Sequence, residues 1–215
     1  MSDTRVLSNI FTSRKTILEL LEESHYRVED YSNFSRNEVD SMITTTQLDM
    51  LITHTSEEKK VYVKYYMNMA RKQKQIQKRS VEDIIEDLFL SEQKVLSKQD
   101  TLIIIMDTEP NLSTNKQLSY LYESQGIFIV VHNIKSLLFN ILTHEKVPHM
   151  EILNEEETNE FMEKYYVKDR TQLPEISRFD PHAKALCVRP NEICRIERKS
   201  PTALTTMYYR ACVNE

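Results

Sequence analysis

Glycine is almost missing from this chain. Only Gly126 occurs in 215 residues, which excludes the Gly-rich loops that cradle phosphates in P-loop and dinucleotide-binding proteins. Tryptophan is absent, and no apolar run approaches the ~20 residues of a membrane span, so no membrane partner is expected. The opening "MSDTRVLSNIF" has neither the basic start nor the apolar core of a signal peptide, so an intracellular setting is expected. The three cysteines, Cys187, Cys194 and Cys212, crowd the C-terminal end. Their odd number fits reduced thiols. Basic surplus is lacking too: net charge is −5, so any nucleic-acid contact must come from a local patch. No cofactor and no small-molecule substrate are expected.

What is present divides in two. Five of the six prolines (148, 174, 181, 190 and 201) and all the cysteines follow residue 145. A domain boundary is therefore placed within 143–148, giving domains 1–143 and 144–215. Leu7, Ile10, Phe11, Ile17, Leu18 and Leu21 recur at three- and four-residue intervals and predict a helix of about four turns. "LDMLITH" and "KKVYVKYYM" follow as strands joined by the polar "TSEE" turn. Val81, Ile84, Ile85 and Leu88 mark a second helix, with Ser80 as its cap and Glu82 and Asp83 in its first turn.

A strand at 101–106, a helix at about 113–124 and a strand at 127–131 predict a parallel pair joined by a crossover. Gly126 falls just past that helix, where a positive φ is usual. Ile134, Leu137, Leu138, Ile141 and Leu142 predict one more amphipathic helix. The first domain is thus read as α/β.

The second domain is read as a small α+β unit: an acidic helix in "NEEETNEFMEKYY", then strands in "NEICRIERK" and "TTMYYRACV". Between them, "QLPEISRFDPHAKAL" spends two prolines. Pro174 holds Leu173 extended. Asp180 caps a short helix whose first position, Pro181, loses nothing by lacking an N–H. The segment is a stiff extended lead into a capped helix. A core this small leaves little margin over chain entropy, and a partner is the natural remedy.

Those same residues carry a resemblance. "HEKVP" at 144–148, the pattern Leu173, Pro174, Ile176, Asp180, Pro181, Ala183, and then Arg195, Ile196, Arg198, Lys199, Ser200, Thr202, Ala203, Tyr209 and Arg210 stand without a gap from Leu173 onward. They resemble the fifth subunit shared by eukaryotic nuclear RNA polymerases, whose C-terminal domain is similar to a small subunit of the archaeal polymerase. The order of elements in the first domain agrees with that family's jaw domain as a pattern only. Family glycines are replaced here by Cys187, Asn191 and Leu204. Asn191 tolerates left-handed backbone, whereas Cys187 and Leu204 pay for it. So divergent a copy with both domains suggests a large DNA virus as its source, with host cytoplasm and virion as its location; a cellular copy would be nuclear.

The resemblance implies a non-catalytic scaffold in a DNA-dependent RNA polymerase. Its C-terminal domain would dock on the largest subunit through Leu173, Pro174, Ile176, Asp180, Pro181, Arg195, Arg198, Ser200, Tyr209 and Arg210. Its N-terminal domain, of inactive restriction-endonuclease-like fold, would form a lower jaw beside downstream duplex DNA, held weakly and without sequence preference. The prolines and the capped helix would stiffen the docking surface, so that binding freezes little extra motion.

Other chemistry competes with this reading. Lys59, Lys60, Lys64, Arg71, Lys72, Lys74, Lys78 and Arg79 form a basic run that either holds phosphates or is a solvated face near Glu82, Asp83, Glu86 and Asp87. The loop with Ser113, Thr114, Asn115 and Lys116 opens a helix and is the better DNA candidate. A metal-dependent nuclease on the same fold would need an acid on one strand and an acid-x-Lys on the next. Asp49 and Lys64 are available, but Tyr62 stands where the second acid belongs. A free-standing transcription adaptor that borrowed the docking domain is a third reading. His182 with the three cysteines lacks any Cys-x-x-Cys knuckle, and buried structural thiols are expected instead. Salt bridges from Arg195, Arg198, Lys199 and Arg210 lead either to an acidic partner or to Glu192, Glu197 or Glu215. The other histidines (His25, His54, His132, His144 and His149) have no paired spacing.

Overall fold

The computed structural model describes residues 3–66, 83–90 and 95–215. The chain forms two compact units, Met1–Phe139 and Asn140–Glu215. The division falls a few residues before the expected segment 143–148.

The first unit opens with helix α1, Asp3–Glu23. It is longer than the four turns the apolar spacing predicts, because that stripe marks only its buried part. Ile10, Ile17, Leu18, Leu20 and Leu21 are buried, whereas Leu7 and Phe11 are half-buried. Arg14 lies on the buried stripe too and is 4% exposed. Its Nη1 donates to the Leu48 carbonyl at 3.0 Å. Its guanidinium sits 5.8 Å from the Tyr31 ring centroid and 5.4 Å from that of Phe34. Burial pulls its pKa down, opposed by Tyr65 and Tyr31. This cation fastens the segment after α1 onto the helix.

That segment holds α2, Glu29–Ser32, and α3, Arg36–Thr44. Helix α3 was not expected, although its signal is written in the sequence. Ser35 and Glu38 form a reciprocal capping box: the Ser35 hydroxyl accepts from the Glu38 N–H, and the Glu38 carboxylate accepts from the Ser35 N–H at 2.7 Å.

A four-stranded sheet follows, in the order β1 (Met50–Thr53), β2 (Lys60–Tyr66), β3 (Thr101–Met106), β4 (Phe128–Asn133). β1 and β2 pair antiparallel around the predicted turn, where His54 Nδ1 accepts from the N–H groups of Ser56 and Glu57. β2–β3 and β3–β4 are parallel. Every residue of β3 and β4 is buried, as a sheet covered on both faces requires. The crossover between β3 and β4 is α4, Leu112–Gln125, capped by Asn111 and closed by Gly126 at φ 73°. Ile84, Ile85 and Leu88 are buried as the second stripe predicts, but the backbone there passes into a π-helical segment, Glu86–Leu90. Val81, Glu82 and the cap Ser80 lie outside the described residues, as do Arg71, Lys72, Lys74, Lys78 and Arg79 of the basic run.

The helix expected over 134–142 does not form. Only a 3-10 turn, Ile134–Leu137, is present, and α1 packs beside it. Side chains take the local backbone groups instead: Asn133 accepts from the Lys135 N–H at 2.8 Å and Asn140 from the Leu142 N–H at 2.9 Å.

The second unit is a four-stranded sheet in the order β5 (His149–Ile152), β7 (Ile193–Ser200), β8 (Leu204–Val213), β6 (Glu175–Ser177). β7 and β8 are the two expected strands and pair antiparallel as a hairpin, while the short edge strands β5 and β6 were not expected. Helix α5, Glu155–Lys164, carries a capping box between Asn154 and Glu157. Helix α6, Pro181–Ala185, is the predicted capped helix. One cluster joins Met150, Ile176, Ala183, Val188, Cys194, Ile196 and Cys212; a second joins Leu153, Phe161 and Ile193. No helix among the described residues is long and apolar enough to cross a membrane.

Candidate docking surface

The sequence motif of the second unit divides into residues that build the surface from behind and residues that reach it. Leu173 is extended, at φ −89° and ψ 149°, as the ring of Pro174 demands, and its side chain packs against the cluster of Leu153, Phe161 and Ile193. Ile176 is core. The Asp180 side chain accepts from the His182 N–H at 2.9 Å, so this carboxylate is occupied as a cap. The His182 ring is pushed toward its neutral form, chiefly by burial and against the pull of Asp180. Leu173 and Ile176 therefore serve the packing of this unit, and Asp180 caps its short helix. Pro174, Pro181 and Arg198 are exposed, and Ser200, Tyr209 and Arg210 are half-buried.

Arg195 is claimed internally, but by none of the acids expected. Its Nη2 lies 2.5 Å from Glu151 on β5 and 3.9 Å from Glu157 on α5. The Arg195 hydrogen bond, aided by His149, holds the Glu151 carboxyl below its usual range. Glu192 instead accepts the Arg189 N–H at 2.7 Å. The Glu215 carbonyl accepts from the Ser177 hydroxyl. Sequence spacing hides the Arg195–Glu151 pair because β5 itself was not legible.

Tyr209 stacks on Phe161, with centroids 4.1 Å apart and planes 30° from parallel. Arg210 donates to the Glu175 carbonyl at 2.7 Å and lies 5.4 Å from the Tyr208 ring centroid. Ser200 Oγ accepts from Thr202 and Ala203 at 3.4 Å each and shapes the hairpin turn.

The three positions where the family carries glycine are left-handed here: Cys187 at φ 53°, Asn191 at 73° and Leu204 at 57°. For a residue with a Cβ this region costs roughly 1–2 kcal/mol. Asn191 is the residue type that bears it best. Cys187 is half-buried, and its thiol donates to the Lys184 carbonyl at 3.7 Å. Leu204 is 87% exposed and has little packing to lose. Leu204→Gly is therefore expected to raise the stability of this unit by about 1 kcal/mol, after allowing for the extra freedom glycine has when unfolded. A urea titration checks this; an unchanged or lowered midpoint refutes it.

The cysteines behave as core. Cys194 and Cys212 are buried, and burial pushes both thiols up to about 12. Cys187 is raised to about 12 by the same cause. None is poised as a nucleophile.

In the first unit, Asp49 is fully engaged. Its Oδ2 accepts from the Tyr62 hydroxyl at 3.0 Å and lies 3.4 Å from Lys64 Nζ, while Oδ1 accepts from the Tyr65 N–H at 3.2 Å. Tyr62, at the position a second acid would need, is pushed up to about 12 by burial and then by Asp49, so it stays a donor. A hydroxyl, an ammonium and an amide thus occupy the face that would hold a cation. Of the basic run, Lys59 pairs with Glu57 at 2.5 Å and Lys64 with Asp49.

The DNA candidates sit within the first turn and a half of α4, behind the cap. Asn111 accepts from the Thr114 N–H at 2.8 Å and the Thr114 hydroxyl at 3.0 Å. Its carbonyl accepts from the Asn115 N–H. Ser113 and Lys116 are exposed, whereas Thr114 and Asn115 are half-buried. The four share one end of one helix, but two of its backbone donors are already taken.

A family model of the RNA polymerase Rpb5 C-terminal domain matches residues 139–212, nearly the whole of the second unit. The DNA-directed RNA polymerase subunit Rpo5 of Thermococcus onnurineus is 47% identical over 77 residues, which is 36% of this chain and 93% of that protein. Rpo5 of Staphylothermus marinus is 47% identical over 74 residues, covering 34% and 80%. Rpo5 of Methanosarcina acetivorans is 39% identical over 75 residues, covering 35% and 95%. With nearly the full length of these relatives matched onto one compact unit, the chain belongs to the Rpb5/Rpo5 family of RNA polymerase subunits.

Proposed function

We propose that the chain is a non-catalytic structural subunit of a multisubunit DNA-dependent RNA polymerase. The observation that carries this is the match of archaeal Rpo5 proteins across the second unit, core and surface together. That unit docks on the largest polymerase subunit through Pro174, Pro181, Arg198, Ser200 and Arg210, with Tyr209 on the opposite face of the same strand. Leu173, Ile176, Asp180 and Arg195 hold these residues in place, so that docking orders few side chains.

The first unit is the lower jaw beside downstream DNA, a restriction-endonuclease-like sheet without its chemistry. Support comes from Asp49, both of whose oxygens are already engaged, by Tyr62, Lys64 and the Tyr65 amide. Ser113, Thr114, Asn115 and Lys116 meet the duplex backbone weakly and without sequence preference. The protein works where its polymerase works, in a nucleus or, for a viral copy, in host cytoplasm and virion.

The tagged chain, recovered from its source, is expected to retain the largest polymerase subunit through a high-salt wash. Elution as a free chain overturns the assignment. A Mg²⁺-dependent nicking assay on the pure chain is expected to stay at background, and cleavage lost in Asp49→Ala would make it a nuclease instead.

A further inference from the structure

The β7–β8 hairpin runs past both of its neighbours. β5 pairs with β7 only as far as Glu197, and β6 meets β8 only from Ala211 onward. Among the described residues, strand β8 therefore has an open edge from Leu204 to Tyr209. The cause lies in the sequence: the Pro174 carbonyl takes the Ala211 N–H at 2.9 Å, and the chain before it turns away, Leu173 donating back to Arg170. Because Ala211 donates toward β6, the two-residue period of a strand points the N–H groups of Met207 and Tyr209 to that same edge.

Proteins usually protect such an edge with charge, proline or a bulge. "LTTMYY", residues 204–209, has none of these. Leu204, Met207 and Tyr208 are 87%, 50% and 37% exposed. Leu204 also bears a left-handed backbone without packing in return. The flanks are cationic. Arg198 and Arg210 share one face of the ribbon by register, and neither they nor Lys199 form an ion pair among the described residues. Glu197 is the one acid on the hairpin. A second copy of the chain fits poorly, because its own residues 204–209 carry no acid to meet these cations.

We infer that the open edge of β8 takes an extended segment of the partner polymerase subunit as an added strand. That segment carries apolar side chains for Leu204, Met207 and Tyr208, and acidic ones for Arg198 and Arg210. The inference rests on the assignment as a polymerase subunit and adds the binding mode.

The test uses the full chain, free and bound to the co-expressed largest subunit of its own polymerase. Amide exchange at Met207 and Tyr209 is expected to slow by about tenfold or more on assembly. Met207→Pro removes an outward donor while leaving the β7 ladder intact, and is expected to weaken assembly by about tenfold or more. Arg198→Glu is expected to weaken it and flatten its salt dependence. A complex that forms without protection at these amides overturns the added strand and leaves the assignment standing. Failure of the unaltered chain to assemble overturns both. Protection in the free chain that depends on its concentration makes the occupant a second copy and overturns the proposal. Should Met207→Pro not fold, exchange in the unaltered chain still decides.

Discussion

Asp100→Ala is expected to destabilise the first unit by about 3 kcal/mol, because it strips a buried acceptor from several donors at once. Asp100 is 4% exposed. Its Oδ1 accepts from the Lys60 N–H at 2.7 Å, and its Oδ2 accepts from the Ser97 N–H at 2.6 Å and the Ser97 hydroxyl at 2.8 Å. One carboxylate thereby ties the start of β2 to the turn that launches β3, and so fixes the register of a parallel pair whose connection is long. Alanine leaves those part-buried donors without their carboxylate, each costing about 1 kcal/mol. Asp100→Asn keeps one carbonyl acceptor and is expected to recover about half of the loss. Urea unfolding followed by far-UV circular dichroism, with amide exchange at Lys60 and Ser97, separates the two. An alanine variant within ~0.5 kcal/mol of the parent, the range of an inert surface change, refutes the role.

Asp100 is hidden in the sequence for a plain reason. An aspartate before an apolar strand looks like ordinary turn chemistry, and only the three-dimensional meeting of residues 60, 97 and 100 makes it a buried junction. Arg14 is more legible. It falls four residues after Ile10 and three before Ile17, on the stripe that defines the buried face of α1. A cation on such a stripe announces a buried, stacked guanidinium. Helix α3 likewise had its capping box written as Ser35 and Glu38. The expected helix at 134–142 failed for the opposite reason. Its apolar spacing is sound, but Asn133 and Asn140 offer the backbone a local alternative that periodicity cannot weigh.

The motif of the second unit was legible as a pattern and only partly as a surface. Pattern matching cannot tell Ile176, which fills the core, from Pro174, which bends the chain at the surface, because both are fixed in position for the sake of the same face. Nor can it find β5 and β6, whose few residues give too short a stretch for alternation to register. Those two short strands leave the β8 edge open and give Arg195 its partner, Glu151. The parts of the site hardest to read from sequence are thus the parts that define its shape.

Phe161→Ala is expected to unfold the second unit in the free chain. Phe161 is 7% exposed at the centre of the smaller cluster, stacked on Tyr209 at 4.1 Å and tilted against Tyr165 at 5.0 Å. Truncating a buried phenylalanine costs about 3–5 kcal/mol, and a single core of this size rarely holds more than about 3–5 kcal/mol in reserve. The loss therefore matches the whole margin. Tyr165→Ala, at a ring 53% exposed, is expected to cost only about 1 kcal/mol and serves as the control. Side-chain methyl NMR of the full chain should show the signals of Val188, Ile193 and Ile196 collapse in Phe161→Ala while those of Ile103, Ile104 and Ile105 persist. Assembly then becomes the deciding variable, since a partner at a thousandfold excess over its dissociation constant returns about 4 kcal/mol to whatever it binds folded. The variant is expected to regain its second unit when co-expressed with the largest subunit and to lose it on dissociation. If the signals of residues 188–196 survive in the free variant, the unit holds a larger reserve than its core supplies and has no need of a partner to be secure.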